Sequence, residues 1–515
     1  MTEKNAGWVV DVSMDPPSLE DNTADADRLK KALAAELGAE SVAVDLFLLK
    51  HLPYRLRDWN YACRCVVFQT CGRWQLIDVM EPQGGQLAAG IAADLGTTRV
   101  VLKLIDLETG EVLAHSAFDN PQSDVGPDIL ARIHYTENPG GIQELSSLIT
   151  DRLNREISEL CGQADVSARS VYLMAVAGNT AMTHLFMGLP SRWIIREPYI
   201  PCVNFPGAFR ADDLGIGLNE CARIFVFPNS GSYFGGDLIS GAYYAGFHEN
   251  EEISILVDVG TNAEVLLGNR DWLVACAGAA GPALEGGVSE IGMTASPGVI
   301  ESVRIDPESG KFDISTIKDE PPRGICGSGM IDLAAQLFAA GMIDIRGRLV
   351  PGACGNRLKE DDGMRHLTVV FGKDSATGED LTISQADLDS LIRSKAAMYT
   401  IIETITGYVG ISFEDVSVFY VAGTFGSFIR PRSAISIGMI PDLPEQTYRP
   451  LGNSSLEGAV RLLSSRSATA EIESIRDRIT YLELNVNQDF MNRFSAAKFL
   501  PHTDAAKFPS VYQAV

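Results

Sequence analysis

The alternation of apolar and polar positions divides the chain into strands and helices, and two stretches stand out. Ile91–Asp106, IAADLGTTRVVLKLID, runs apolar into Asp94, turns over Gly96, Thr97 and Thr98, and leaves as a second β-rich run, Val100–Ile105. Ile255–Gly268, ILVDVGTNAEVLLG, repeats the pattern about one domain length later, with Asp258, Gly260, Thr261 and Asn262 in the corresponding places. Helical spacing marks Ala26–Ala39, where Leu29, Leu33 and Leu37 recur at four. It also marks Ile142–Cys161, where Ile142, Leu145, Leu148, Ile149, Leu153 and Ile157 follow a 3.6-residue period. Ser384–Gly407 predicts a long helix opened by a capping box from Ser384 to Asp387. Ser454–Glu457 predicts the same motif for a helix through Leu463. Val42–Leu49, Val171–Val176 and Val416–Val421 predict apolar strands, and Tyr61–Ile77 alternates. Polar, Pro- and Gly-containing stretches delimit the units: a tail over 1–27, a small domain over 28–85, a first lobe over 86–250 and a second lobe over 251–515. The second lobe carries a polar insertion near 341–383.

The two hairpins carry candidate chemistry. Glycine at the turn allows backbone angles that other residues resist, so N–H groups and hydroxyls can be aimed at a phosphate. A carboxylate at the strand end, Asp94 or Asp258, suits a hydrated Mg²⁺ next to that phosphate. Facing each other, two such turns could hold the two ends of a polyphosphate. A surface hairpin capped by Thr and Asp accounts for one copy alone; the recurrence favours the ligand. Val171–Val176 feeds Ala177–Thr180, where Asn179 and Thr180 either cap a helix or offer its N-terminus to an anion. Ser230–Gly241 is a glycine-rich turn entering a helix, with Asp237 as a cap or as the group orienting a water. Cys276–Gly287 is too glycine-rich for a helix interior and offers Gly281 and Glu285.

Composition narrows the class. The chain has 515 residues, 46% hydrophobic and 21% charged, which suits two or more folded domains. Forty-two basic against 67 acidic residues give a net charge of −25, which disfavours a nucleic-acid partner. No apolar run reaches membrane-span length, and the N-terminus lacks a signal-peptide pattern, so a cytoplasmic protein is expected. Nine scattered cysteines without C-x-x-C, and seven histidines without H-x-x-x-H, support neither a zinc nor an iron–sulfur site. Cys63 and Cys65 read as small apolar side chains on one strand face. No P-loop, protein-kinase signature or nucleophile elbow is present.

The two hairpins, DLGTT and DVGTN, resemble the phosphate loops of the acetate and sugar kinase, heat-shock-70 and actin (ASKHA) superfamily, and VAGTFGSF (Val421–Phe428) resembles its adenosine motif. VAGNTAMTHL (Val176–Leu185), AGPALEGG (Ala280–Gly287), GICGSGMIDL (Gly324–Leu333), IGMIPDLP (Ile437–Pro444) and FLPHTD (Phe499–Asp504) resemble, as a set, the reductive activators of corrinoid enzymes, from about residue 28 onward. The resemblance implies a duplicated, actin/Hsp70-like, RNase H-like α/β fold of two lobes with a cleft, preceded by a small α+β linker domain. It implies ATP and Mg²⁺ as cofactors, Asp94 and Asp258 as metal-side carboxylates and Asp237 as a third catalytic acid. It further implies Gly96, Thr97, Thr98, Asn179, Thr180, Gly260, Thr261, Asn262, Gly281, Glu285, Lys395, Gly423, Thr424 and Gly426 around the nucleotide. The implied activity is ATP-driven reduction of cob(II)amide to cob(I)amide on a corrinoid protein serving a methyltransferase system. The plant-type ferredoxin module usual in that family, with its C-x₄-C-x₂-C ligands, is absent here. A separate ferredoxin is therefore the expected electron donor, with no iron–sulfur cluster on this chain; a homodimer is compatible with the resemblance. Two other readings share the fold: a small-molecule kinase, and a nucleotide-gated interaction protein with negligible turnover.

Overall fold

A computed structural model of the chain describes residues 7–259, 262–279, 289–306, 309–361, 363–423, 430–484 and 488–512. It divides into two compact units, Met1–His248 with Ser454–Ile479, and Glu249–Asn453 with Thr480–Val515.

The first unit opens with a four-stranded sheet. Its strands are β1 (Val9–Ser13), β2 (Val42–Val44), β3 (Ala62–Thr70) and β4 (Arg73–Met80), in the order β1-β3-β4-β2. Leu29 and Leu33 of the helix Asp25–Leu37 pack on Cys63, Cys65, Val67 and Leu76 from the sheet. Two expectations change here. Residues 1–27 are not a tail throughout, because β1 pairs antiparallel with β3, Val10 opposite Cys65, and Trp8 is fully buried. Val42–Leu49 is a strand only to Val44. The Asp45 carboxylate then turns to Arg223 and Gln75, and Leu46–Leu49 coils into one helical turn. Cys63 and Cys65 do share a face; their sulfurs lie 3.6 Å apart in the core.

A six-stranded sheet follows. It contains β5 (Ala89–Leu95), β6 (Arg99–Asp106), β7 (Val112–Asp119), β8 (Val171–Gly178), β9 (Gly207–Arg210) and β10 (Arg223–Val226), in the order β7-β6-β5-β8-β10-β9. β5 and β6 form the antiparallel hairpin expected at Asp94, and β8 lies parallel to β5 with Ala177 opposite Asp94. The helix Gly141–Gln163 buries Ile149, Leu153, Ile157 and Leu160 against this sheet, as its period requires.

The second unit repeats the plan. Its main sheet is built from β11 (Ser254–Val259), β12 (Asn262–Gly268) and β13 (Leu273–Ala279). Two three-stranded sheets follow: β14 (Val299–Ile305), β15 (Phe312–Thr316) and β16 (Gly324–Ile325), then β17 (Leu358–Asp361), β18 (Met364–Val370) and β19 (Leu381–Ser384). The main sheet is completed by β20 (Val418–Ala422), β21 (Tyr448–Gly452) and β22 (Ile479–Leu482), in the order β21-β20-β11-β12-β13-β22. β11 pairs antiparallel with β12 and parallel with β20, and Asp258 stands opposite Ala422. Each unit thus sets a strand-end aspartate beside a parallel strand ending in Val-Ala-Gly, at 176–178 and 421–423. The helix Gln385–Val409 starts on the expected capping box, Ser384 with Asp387, and stops at Gly410 in a left-handed conformation. The polar insertion is partly structural, since Leu367, Val369 and Ile383 of β18 and β19 enter the core.

The expected second lobe, 251–515 without interruption, differs from this division. The segment Ser454–Ile479 belongs to the first unit. Its helix Ser454–Leu463 seats Leu463 against Gly90 of β5, and Leu462 accepts a hydrogen bond from the Trp8 indole at 2.8 Å. Apolar burial of this helix on the first sheet decides its membership.

Candidate nucleotide site

In the first unit the turn after β5 is braced by side chains from two other segments. Asn120 Nδ2 donates to the Gly96 carbonyl at 2.9 Å, and the Asn120 N–H donates to the Thr98 carbonyl at 2.8 Å. Asn179 Nδ2 donates to Thr97 Oγ1 at 3.1 Å, while its Oδ1 caps the helix Thr180–Phe186 by accepting from the Met182 N–H at 2.9 Å. Asn179 is thus a helix cap that also braces Thr97. Because the Thr97 oxygen accepts there, its hydroxyl proton points away from Asn179. Gly96 has no room for a side chain: a Cβ there would meet the Arg99 carbonyl at 2.3 Å. Thr98 is exposed, and Asp94 and Asp237 are half-buried.

Asp94 Oδ1 accepts from Ser455 Oγ at 2.8 Å. Asp237 lies in the first turn of the helix Gly236–Tyr244, and its Oδ1 accepts from the Leu238 N–H at 2.9 Å. Gly235 joins this helix to the Asn179 junction: a Cβ on it would lie 2.5 Å from Asn179 Cα, 2.6 Å from Asp237 Oδ1 and 2.9 Å from the Thr180 N. Thr180 Oγ1 donates to the Gly231 carbonyl at 3.1 Å and is fully engaged in holding that loop. Asp94, Gly96, Thr97, Asn179, Thr180 and Asp237 therefore form one linked set. His184, one helical turn on, is a core side chain; Nδ1 meets the Thr180 carbonyl at 2.6 Å and Nε2 accepts from the Val203 N–H. Burial holds its pKa below the ordinary value.

In the second unit Asp258 faces Gly423. Gly423 has φ +81°, and a Cβ there would come 2.7 Å from Asp258 Oδ1. Backbone thus packs directly against this carboxylate. Gly260, Thr261, Gly281, Glu285, Thr424 and Gly426 lie outside the described residues, as does the side chain of Asn262.

Lys395 is not a ligand. It is fully buried on the helix Gln385–Val409, and its Nζ donates to the Phe499 carbonyl and, at 2.7 Å, to the Pro501 carbonyl. Burial pushes its pKa well below that of a free lysine. The expected ligand gives way to a structural pin holding the FLPHTD segment.

A donor set of a carboxylate, threonine hydroxyls and turn N–H groups, beside a glycine that leaves no room for a side chain, fits a phosphate with hydrated Mg²⁺. The link from Ser455 to Asp94 has no signature in the sequence. Ser455 follows Ser454, where the helix starts, and Glu457 pairs with Lys103. Gly235 lies in the glycine-rich turn Ser230–Gly241, and its close packing on Asn179 gives that turn its role. Ser455 stands at i,i+3 spacing from Gly458, a small-residue face that permits close approach.

The comparisons with known proteins agree along the chain. The family model described as the RACo linker region matches residues 4–84, that of the RACo middle region residues 89–250, and that of the C-terminal domain of RACo, the ASKHA domain, residues 252–512. The chain is 30% identical over 413 residues to the corrinoid activation enzyme RamQ of Eubacterium limosum, covering 79% of this chain and 69% of that one. It is 25% identical over 443 residues to the [Co(II) methylated amine-specific corrinoid protein] reductase of Methanosarcina barkeri, covering 78% and 75%. A solved reductive activator for corrinoid, iron–sulfur protein superposes with a TM-score of 0.87 at 37% identity, over 99% of this chain and 82% of that one.

Proposed function

The chain belongs to the RACo family, with an ASKHA domain, and from that premise we propose that it uses ATP to drive reduction of a corrinoid protein. One electron from a separate low-potential carrier, a ferredoxin, converts cob(II)amide to cob(I)amide, while ATP is hydrolysed to ADP and phosphate. The observation that carries the nucleotide half is the braced turn: Thr97 accepts from Asn179, leaving its proton for an anion beside Asp94. In the first unit Asp94 would hold a Mg²⁺-bound water, and Gly96, Thr97 and Thr98 the phosphates. Asp237 would orient the attacking water. In the second unit Asp258, with the turn at 260–262, is the corresponding set. Bound Mg²⁺ would neutralise charge that develops on the transferred phosphoryl group. The protein residues contribute position and fixed dipoles rather than a covalent nucleophile.

All nine cysteines are free, and most are buried. Among the described residues no group of three or more His, Cys, Asp and Glu is arranged to hold a metal. Free thiols also fit a reducing, cytoplasmic setting, and no helix among the described residues is long and apolar enough to cross a membrane.

Coupling requires that the corrinoid partner bind with different affinity in two nucleotide states. The test mixes the protein, ATP, a reduced ferredoxin and a corrinoid protein, and follows the cobalt spectrum. A Co(I) signal that needs ATP supports the reading. ADP release stimulated by a sugar and indifferent to corrinoid protein would replace it with a kinase.

A further inference from the structure

We infer that Ser455 is the positioning residue for Asp94, setting the carboxylate so that Mg²⁺ is held at the first hairpin; this rests on the nucleotide reading above.

Ser455 is 6% exposed and lies in the first turn of the helix Ser454–Leu463, 361 residues from Asp94 in sequence. Its backbone is fixed independently of Asp94. Ser240 Oγ, from the neighbouring helix Gly236–Tyr244, donates to the Ser455 carbonyl at 2.7 Å. Gly458, one turn on, packs so closely that a Cβ would fall 2.1 Å from the Ser240 carbonyl. Farther along, Glu457 pairs with Lys103 of β6 and Leu462 accepts from Trp8. With its main chain clamped in this way, the Ser455 hydroxyl has a fixed origin, and it donates to Asp94 Oδ1. A carboxylate tied at one oxygen loses rotational freedom. Outer hydrogen-bond partners that orient a ligating group typically govern metal affinity by roughly 10–100-fold. The serine itself touches neither metal nor phosphate in this arrangement; it acts through Asp94.

The test uses the full chain and calorimetric ATP binding at stepped Mg²⁺ concentrations. Ser455→Ala removes the hydroxyl without adding an atom. It is expected to raise the Mg²⁺ needed for half-maximal effect by roughly tenfold or more, while ATP binding without Mg²⁺ stays at the wild-type value. Glu457→Gln, on the same helix but bonded elsewhere, is expected to lower the melting temperature and leave the Mg²⁺ requirement alone. In an Asp94→Asn background Ser455→Ala is expected to add nothing. A wild-type Mg²⁺ requirement in Ser455→Ala, or an equal loss in both backgrounds, overturns the inference. Ser455→Gly supplies the same deletion if the alanine variant does not fold. Failure of the wild-type chain to bind ATP at all would instead overturn the functional reading on which this stands.

Discussion

The two strand-end aspartates occupy equivalent places, and the described residues set a different neighbour close to each. Asp94 lies at a turn held by side chains: Asn120 on Gly96, Asn179 on Thr97 and Ser455 on the carboxylate itself. Asp258 faces the backbone of the αL glycine at 423. The first hairpin has polar bracing from distant segments, and main chain lies close against the carboxylate of the second. The contrast separates what the hairpin supplies in either unit, a carboxylate at a glycine turn, from what each unit has added. It predicts that deleting the shared chemistry damages both units alike, whereas deleting the additions does not.

The largest effects should come from the shared carboxylates. Asp94→Asn and Asp258→Asn are each expected to lower ATP turnover by roughly 10²–10³-fold, the scale for one misplaced electrostatic group at a reacting centre. Steady-state phosphate release measures this. Strongly unequal losses would show that the two hairpins have diverged in role. Next come the glycines. Gly235→Ala forces a methyl against Asn179 and Thr180, and Gly423→Ala forces one against Asp258 at positive φ. Overpacking costs about 1–3 kcal/mol, so ATP binding should weaken by roughly 10–100-fold in calorimetry. Wild-type affinity in Gly423→Ala would remove Asp258 from the nucleotide. A smaller effect is expected of Asn179→Ala, which loses a helix cap worth about 1 kcal/mol and frees Thr97. A drop in melting temperature together with an affinity loss of roughly fivefold would match its two bonds.

The smallest effect on nucleotide, none, is expected of Lys395→Met, which should lower the melting temperature by stranding the Phe499 and Pro501 carbonyls. Its pH dependence is a sharper check. The folded pKa of Lys395 lies well below the free value of 10.5, so between the two the unfolded chain binds a proton that the folded chain does not. Wild-type stability therefore gains from this group as pH rises toward 10.5, and the gap between wild type and Lys395→Met should widen in that direction. A weakened ATP affinity in this variant would return Lys395 to the binding site.

The hairpins were legible in the sequence because two local signals coincide in each: apolar strands with a period of two, and a turn that needs glycine. The helix Gln385–Val409 was legible down to its capping box for the same reason. The face on which Lys395 lies was not, since periodicity places a residue on a helix without saying what covers it. Its neighbours Ala396–Ile402 are all buried, and a helix apolar on every side is interior, which was the available clue. Ser455 was illegible for a different reason. Its partner is hundreds of residues away, and a serine near a helix start already had a local explanation in capping. Long-range polar bonds leave no period behind them.

The placement of Ser454–Ile479 has a practical result for anyone cutting the gene. A fragment ending at residue 250 would carry the Asp94 hairpin, yet Gly90 would lose the leucine packed on it and Trp8 the carbonyl that takes its indole proton. Such a piece would show oily surface where a helix should sit and would tend to clump. Supplying residues 454–479 as a tethered graft is the economical remedy.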